Sequence, residues 1–178
     1  LWADLRARQG ATYGVSAWTS VQANDFGAEI AGVDLADDIH DDVLAALRTA
    51  VIRHKVLIFH DQHLDDASHF AFAERFGPLE GHINRSTRID ALPKLQAFGN
   101  VGEDGQPTGV HPEKGTLVWH TDKSYIATPS LFTILRSPSV ARDGGHTVFA
   151  DMTRAYEELE PAQAVRLDGL RAVHDWKR

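Results

Sequence analysis

The chain has 178 residues, 43% of them apolar and 24% charged, and carries 18 basic against 25 acidic side chains for a formal net charge of −7. That length fits one domain of about 100–200 residues, and the acidic balance argues against nucleic acid or an anionic membrane as the main partner. The absence of cysteine excludes disulfides, zinc-thiolate sites, cysteine-ligated clusters and cysteine nucleophiles. The ten histidines are left as the metal-ligand reservoir.

The first residues, LWADLRARQG, are charged and contain no signal-like apolar run. No stretch reaches the 18 or more apolar residues of a membrane span, so the expectation is a soluble, cytoplasmic protein without a membrane partner. In chain order, residues 28–35 read as a short strand and turn. Val43, Leu44, Leu47, Val51 and Ile52 then recur at helical spacing behind Asp41 and Asp42, which suit the positive end of a helix dipole. The apolar run Lys55–Phe59 predicts a buried strand. A second helix is expected over Asp66–Phe76, with Asp65 as N-cap and Gly77-Pro78 as the stop.

Residues 81–115 are rich in Gly, Asn, Asp and Pro and read as loops around a strand near Leu95–Phe98. Further strands are expected at Thr116–His120, Leu131–Arg136, Thr147–Ala150 and Leu170–His174. Helices are expected at Thr153–Leu159 and after Pro161. Helices early and strands late predict an α+β fold with a mainly antiparallel sheet or barrel.

A histidine and an aspartate two residues apart occur three times: His40/Asp42, His63/Asp65 and His120/Asp122. The first two sit at helix starts, where the dipole explains Asp42 and capping explains Asp65. Only the third follows a strand-like segment, on which alternate side chains share a face. A divalent-metal pair suited to iron(II), manganese or zinc and a strand-end His–Asp hydrogen bond both satisfy that placement.

The longer string Trp119-His120-Thr121-Asp122, then Thr128-Pro129 and Gly144-Gly145-His146-Thr147, resembles the taurine and 2,4-dichlorophenoxyacetate dioxygenase family. The likeness includes Gly27-Ala28-Glu29-Ile30-Ala31-Gly32-Val33-Asp34-Leu35, Arg53-His54-Lys55-Val56-Leu57-Ile58-Phe59-His60-Asp61-Gln62 and Phe72-Ala73-Glu74-Arg75-Phe76-Gly77-Pro78-Leu79. These segments follow one another in the family's order from about Phe26 to Trp176. Such a collinear series is far more specific than a His-x-Asp pair.

The resemblance implies a double-stranded β-helix (jelly-roll, cupin-like) core flanked by helices, with residues 1–178 forming the N-terminal part of one domain. It implies a non-haem Fe(II)- and 2-oxoglutarate-dependent dioxygenase that uses O2, hydroxylates a small anionic organic substrate, and releases succinate and CO2. On this likeness His120 and Asp122 are metal ligands, and Thr147 helps hold the distal carboxylate of 2-oxoglutarate, to which a hydroxyl can donate. His82 matches a position facing the primary substrate, and Thr116 and Tyr125 border the same pocket. Arg85 and Arg88, close to His82, read either as anion contacts or as a solvated basic loop. His146 replaces a more usual acidic residue and is expected at the surface or behind the ligands. His174 is not expected to bind metal. The third ligand histidine and the 2-oxoglutarate arginine are expected beyond Arg178, in a longer protein that is a homo-oligomer in many relatives. The alternative is a catalytically inactive relative or fragment acting as a binding module. A zinc hydrolase is disfavoured because the chain has neither a His-Glu-x-x-His helix nor an evident general base.

Overall fold

The computed structural model describes residues 27–81, 85–102, 104–111, 117–139 and 147–173, together with the backbone of 10–12 and 15–17. These residues fall into two compact units, one within Leu1–Val118 and Ile134–Val148, the other within Trp119–Thr133 and Phe149–Arg178. No helix among the described residues is long and apolar enough to cross a membrane.

In the first unit, β1 (Gly10–Thr12) pairs antiparallel with β2 (Val15–Ala17). A crossover follows: β3 (Ala28–Ile30), α1 (Asp41–His54) and β4 (Leu57–Phe59), with β3 and β4 parallel and Ala28 opposite Leu57. Parallel strands cannot be joined by a tight turn, and the helix supplies the return path. Asp41 and Asp42 lie in its first turn and Arg53 in its last, each charge matched to the dipole. Leu44, Leu47 and Ala50 form its buried stripe. The helix ends at Lys55, in a left-handed conformation (φ 64°), with its N–H returned to the Val51 carbonyl.

Helix α2 (Asp66–Glu74) begins with the expected cap. The Asp65 carboxylate accepts from the Ser68 N–H at 2.7 Å and from the Ser68 hydroxyl at 2.6 Å, while the Ser68 hydroxyl accepts from the Asp65 N–H at 3.0 Å. These bonds, led by the Ser68 hydroxyl, hold the Asp65 carboxyl below its ordinary pKa. The core gathers Ile30, Leu35, Ile39, Leu47 and Phe72, with Ile134 packed against it from later in the chain. The Phe72 ring meets Phe59 and Phe76 edge to face, with centroids 6.5 and 5.3 Å away. Gln62 joins two segments far apart in sequence: its carbonyl accepts from Leu35 N–H at 2.7 Å, and its amide donates to the Val33 carbonyl at 3.0 Å.

The segment after Thr133 is tied to the start of α2. The Arg136 guanidinium donates to the Leu64 carbonyl and pairs with the Asp66 carboxylate. Next to it, His69 is only 6% exposed. Burial first, and then the Arg136 charge, push its pKa below the ordinary 6.5, against smaller opposing effects of Asp66 and of a hydrogen bond to the Ile134 backbone.

The antiparallel ribbon β5 (Arg88–Ile89) and β6 (Leu92–Gln96) follows. It replaces the strand expected at Leu95–Phe98, displaced toward the N-terminus. Pro93 is tolerated in it because a two-stranded ribbon leaves one side of each strand without ladder bonds.

In the second unit, α3 (Met152–Glu157) is capped by Asp151, whose carboxylate accepts from the N–H groups of Thr153 and Arg154 at 2.9 and 3.2 Å. Helix α4 (Pro161–Leu167) opens on proline, whose missing N–H costs nothing in a first turn. Both helices were expected, yet neither buries a residue.

The strands expected at Leu131–Arg136 and Thr147–Ala150 are not strands, nor are the described parts of Thr116–His120 and Leu170–His174. Among the described residues the sheets are three separate two-stranded pairs, two antiparallel and one parallel, so the expected large antiparallel sheet is not formed by them. Alternating side chains favour extension, but a ladder also needs a neighbouring backbone to exchange hydrogen bonds. No described segment lies in that position for these stretches. Consistent with this, the buried apolar residues among those described fall between Ala28 and Phe72, whereas Leu131, Val165 and Val173 are 75–90% exposed.

Replacing Phe72 by alanine is expected to destabilise the protein by about 3–5 kcal/mol, the usual cost of removing a buried aromatic ring, read by urea denaturation. His69 predicts a pH dependence. Its folded-state pKa is depressed, so the unfolded chain takes up a proton first as pH falls, and stability is lost progressively below about 6.5. Thermal unfolding midpoints between pH 7.5 and 5.5 should fall more steeply in the wild type than in His69→Gln.

Candidate functional site

His120 and Asp122 lie in irregular chain, not on a strand. Asp122 opens a turn over residues 122–125, in which Lys123 takes a left-handed conformation (φ 50°) and its carbonyl accepts from the Ile126 N–H at 3.2 Å. The strand reading of this segment is therefore corrected, while the two side chains do converge. His120 Nε2 stands 3.5 Å from Asp122 Oδ1, and both side chains are about half exposed, at 43% and 49%. The second carboxylate oxygen, Oδ2, accepts from the Thr133 hydroxyl at 2.7 Å. Each carboxylate oxygen thus has a different partner.

This donor set suits a divalent transition metal, for which imidazole nitrogen and carboxylate oxygen are ordinary ligands. Donors bound at about 2.0–2.2 Å to one ion must lie within about 4.4 Å of each other. The observed 3.5 Å satisfies that bound. Among the described residues no group of three histidine, cysteine or acidic side chains is assembled that could hold a metal, so these two are a partial set.

Thr147 lies in the first unit, and its hydroxyl oxygen is buried with no hydrogen-bond partner among the described residues. A buried, unpaired hydroxyl is costly unless an acceptor arrives, and it can donate to a carboxylate. Tyr125 belongs to the turn after Asp122. With Ser124, Ile126, Ala127, Arg171 and Ala172 it lines an open concavity of about 450 Å³. His82 and Thr116 lie outside the described residues, as do Gly144, Gly145, His146 and His174. Arg85 is exposed, and Arg88 is partly buried on β5.

The two decoy pairs behave as helix-start residues. The Asp42 carboxylate accepts from the Val43 N–H at 2.8 Å, and Asp65 caps α2. Two residues escaped the sequence reading. Thr133 is eleven positions from Asp122, a distance at which no local pattern reports a contact. Arg171 is even farther along the chain from Tyr125, with which it shares the concavity.

The family model described as "Taurine catabolism dioxygenase TauD, TfdA family" matches residues 19–178. The (S)-phenoxypropionate/alpha-ketoglutarate-dioxygenase of Sphingobium herbicidovorans is 33% identical over 150 residues, covering 84% of this chain and 50% of that protein. The alpha-ketoglutarate-dependent sulfate ester dioxygenase of Pseudomonas putida is 34% identical over 153 residues, 85% of this chain and 47% of that protein. The chain thus spans about half the length of the curated relatives it matches. Among solved structures, AAD-2 in complex with Mn(II) and N-oxalylglycine superposes with a TM-score of 0.56 at 25% identity, covering 81% of this chain and 51% of that one. A taurine dioxygenase from Burkholderia xenovorans gives a TM-score of 0.61 at 23% identity over 94% of this chain and 53% of its own, a likeness of fold.

Proposed function

Because the chain belongs to the taurine catabolism dioxygenase TauD, TfdA family, we propose that its protein is an Fe(II)- and 2-oxoglutarate-dependent dioxygenase acting on a small organic anion. The single observation that carries this reading is the convergence of the His120 imidazole and the Asp122 carboxylate at 3.5 Å, within a chain matched by the family model over residues 19–178. The fold reading is that the chain contributes the N-terminal part of a jelly-roll domain.

Iron(II), with 2-oxoglutarate and O2, supplies the oxidising power to hydroxylate an unactivated carbon, with succinate and CO2 as coproducts. The protein's own share is binding, orientation and exclusion of water. His120 and Asp122 hold the metal. The Thr147 hydroxyl donates to the distal carboxylate of 2-oxoglutarate, a charge-assisted bond that satisfies its buried oxygen. His82, Thr116 and Tyr125 border the primary substrate, and Arg85 and Arg88, close to His82 in the sequence, read either as further anion contacts or as a solvated basic loop.

An anionic substrate is supported by the names of the relatives, which act on phenoxypropionate and on sulfate esters. A hydroxylated carbon that bears an aryl ether or sulfate ester loses that group spontaneously, so one chemistry serves both classes.

Incubating the full-length protein with Fe(II), 2-oxoglutarate and a panel of aryloxy carboxylates, sulfonates and sulfate esters should yield succinate. His120→Ala and Asp122→Ala should each reduce succinate to the iron-free background. Equal succinate from wild type and both variants would overturn the assignment, and an inactive binding module would give none from any of them. Separately, Thr147→Val should raise the KM for 2-oxoglutarate roughly 10–100-fold, the loss expected for one hydrogen bond to a charged group. An unchanged KM would remove Thr147 from that role.

A further inference from the structure

Resting on the metal-site reading above, we propose that Thr133 is a positioning residue for the Asp122 carboxylate, holding one oxygen so that the other faces His120 and a divalent cation. The Thr133 hydroxyl donates to Asp122 Oδ2 at 2.7 Å, whereas Oδ1 stands 3.5 Å from His120 Nε2. The two oxygens of one carboxylate are therefore sorted by partner.

The sorting has a physical reason. The last torsion of an aspartate side chain is broad and roughly two-fold, so a carboxylate that is 49% exposed exchanges its oxygens and swings unless something holds it. A hydroxyl is suited to the task because it donates a single proton to a charged acceptor, a short and directional bond. Threonine adds stiffness, since its branched Cβ restricts its own χ1. The backbone of Asp122 is constrained as well. Lys123 immediately after it is held in the left-handed region at φ 50°, uncommon for a residue with a side chain, and the turn is closed by the Ile126 N–H on the Lys123 carbonyl. Turn and hydroxyl together leave Asp122 few orientations, and the one they select points Oδ1 at the imidazole. Prior orientation of a ligand lowers the entropy lost when a cation binds, which is why partners behind metal ligands affect affinity.

The proposal is tested in the full-length protein by titrating Mn(II) alone, following the free-ion electron paramagnetic resonance signal, for wild type, Thr133→Val, Thr133→Ala, Thr133→Ser and Asp122→Ala. Metal-free thermal unfolding midpoints are recorded for each. Thr133→Val should weaken Mn(II) binding about 10–100-fold, and Thr133→Ser, which keeps the hydroxyl, should bind within a few-fold of wild type. A merely structural role would lower the metal-free midpoint of Thr133→Val without changing the Mn(II) affinity of the folded fraction. Should the valine variant fail to fold, Thr133→Ala is judged by the same affinity criterion. Wild-type affinity in a folded variant without the hydroxyl, alongside lost binding in Asp122→Ala, would overturn the role of Thr133 and leave the metal site standing. No Mn(II) binding by wild type, or undiminished binding by Asp122→Ala, would instead overturn the metal-site reading, and Thr133's role with it.

Discussion

The parallel pairing of Ala28–Ile30 with Leu57–Phe59 is the constraint from which the first unit is built. Two parallel strands require a crossover, and the 14-residue helix Asp41–His54 provides it while burying Leu44, Leu47 and Ala50. The crossover returns the chain so that Gln62, just past the second strand, reaches the loop after the first. Its side-chain amide then satisfies both the Leu35 N–H and the Val33 carbonyl. Loop backbone groups near a core need such partners, because an unpaired one costs about as much as a lost hydrogen bond. Two of the sequence segments shared with the dioxygenase family are therefore joined to each other, and their residues are explained by architecture without a catalytic role.

The aromatic trio Phe59, Phe72 and Phe76 extends that core to the second helix. Around it the polar groups are used sparingly. Arg48 places its guanidinium 5.5 Å from the centre of the Phe76 ring and donates to the Arg75 carbonyl at 2.7 Å, covering the aromatic face while closing a helix end. Arg136 does the equivalent at the start of the same helix, pairing with Asp66 and the Leu64 carbonyl. The buried His69 beside it is the counterpart of this economy: a titratable ring whose pKa is lowered by burial and by a nearby cation.

At the metal-site candidate the organising element is a turn. Asp122 opens a turn where the Trp119-His120-Thr121-Asp122 motif ends, and Lys123 within it takes a left-handed conformation. His120 and Asp122 approach each other in irregular chain just before the turn, and Thr133 takes the second oxygen of Asp122. A turn carrying a strained residue is a common place for function, since the surrounding bonds must over-determine it. The large exposed apolar side chains of the second unit, Leu131, Val165 and Val173 among them, mark surface that would gain from being covered.

Both long helices were legible in the sequence because their signals are local. Asp65 and Ser68 are three residues apart, the acidic first turn of Asp41–His54 is contiguous, and apolar spacing of three and four is visible by inspection. The family was legible for the same reason, as a series of short motifs in fixed order. Strand pairing was not, because a ladder depends on which remote backbone lies alongside, and the largely apolar Leu131–Arg136 has no such neighbour among the described residues. The sequence by itself set His120 and Asp122 apart from the other two His-x-Asp pairs and marked Asp42 and Asp65 as helix-start residues. Only the tertiary structure decided that Thr133 would grip one oxygen of Asp122, that Gln62 would tie the Val33–Leu35 loop, and that Arg136 would reach Asp66. Contacts between positions eleven to seventy residues apart are set by packing and chain reversal, on which no local periodicity reports.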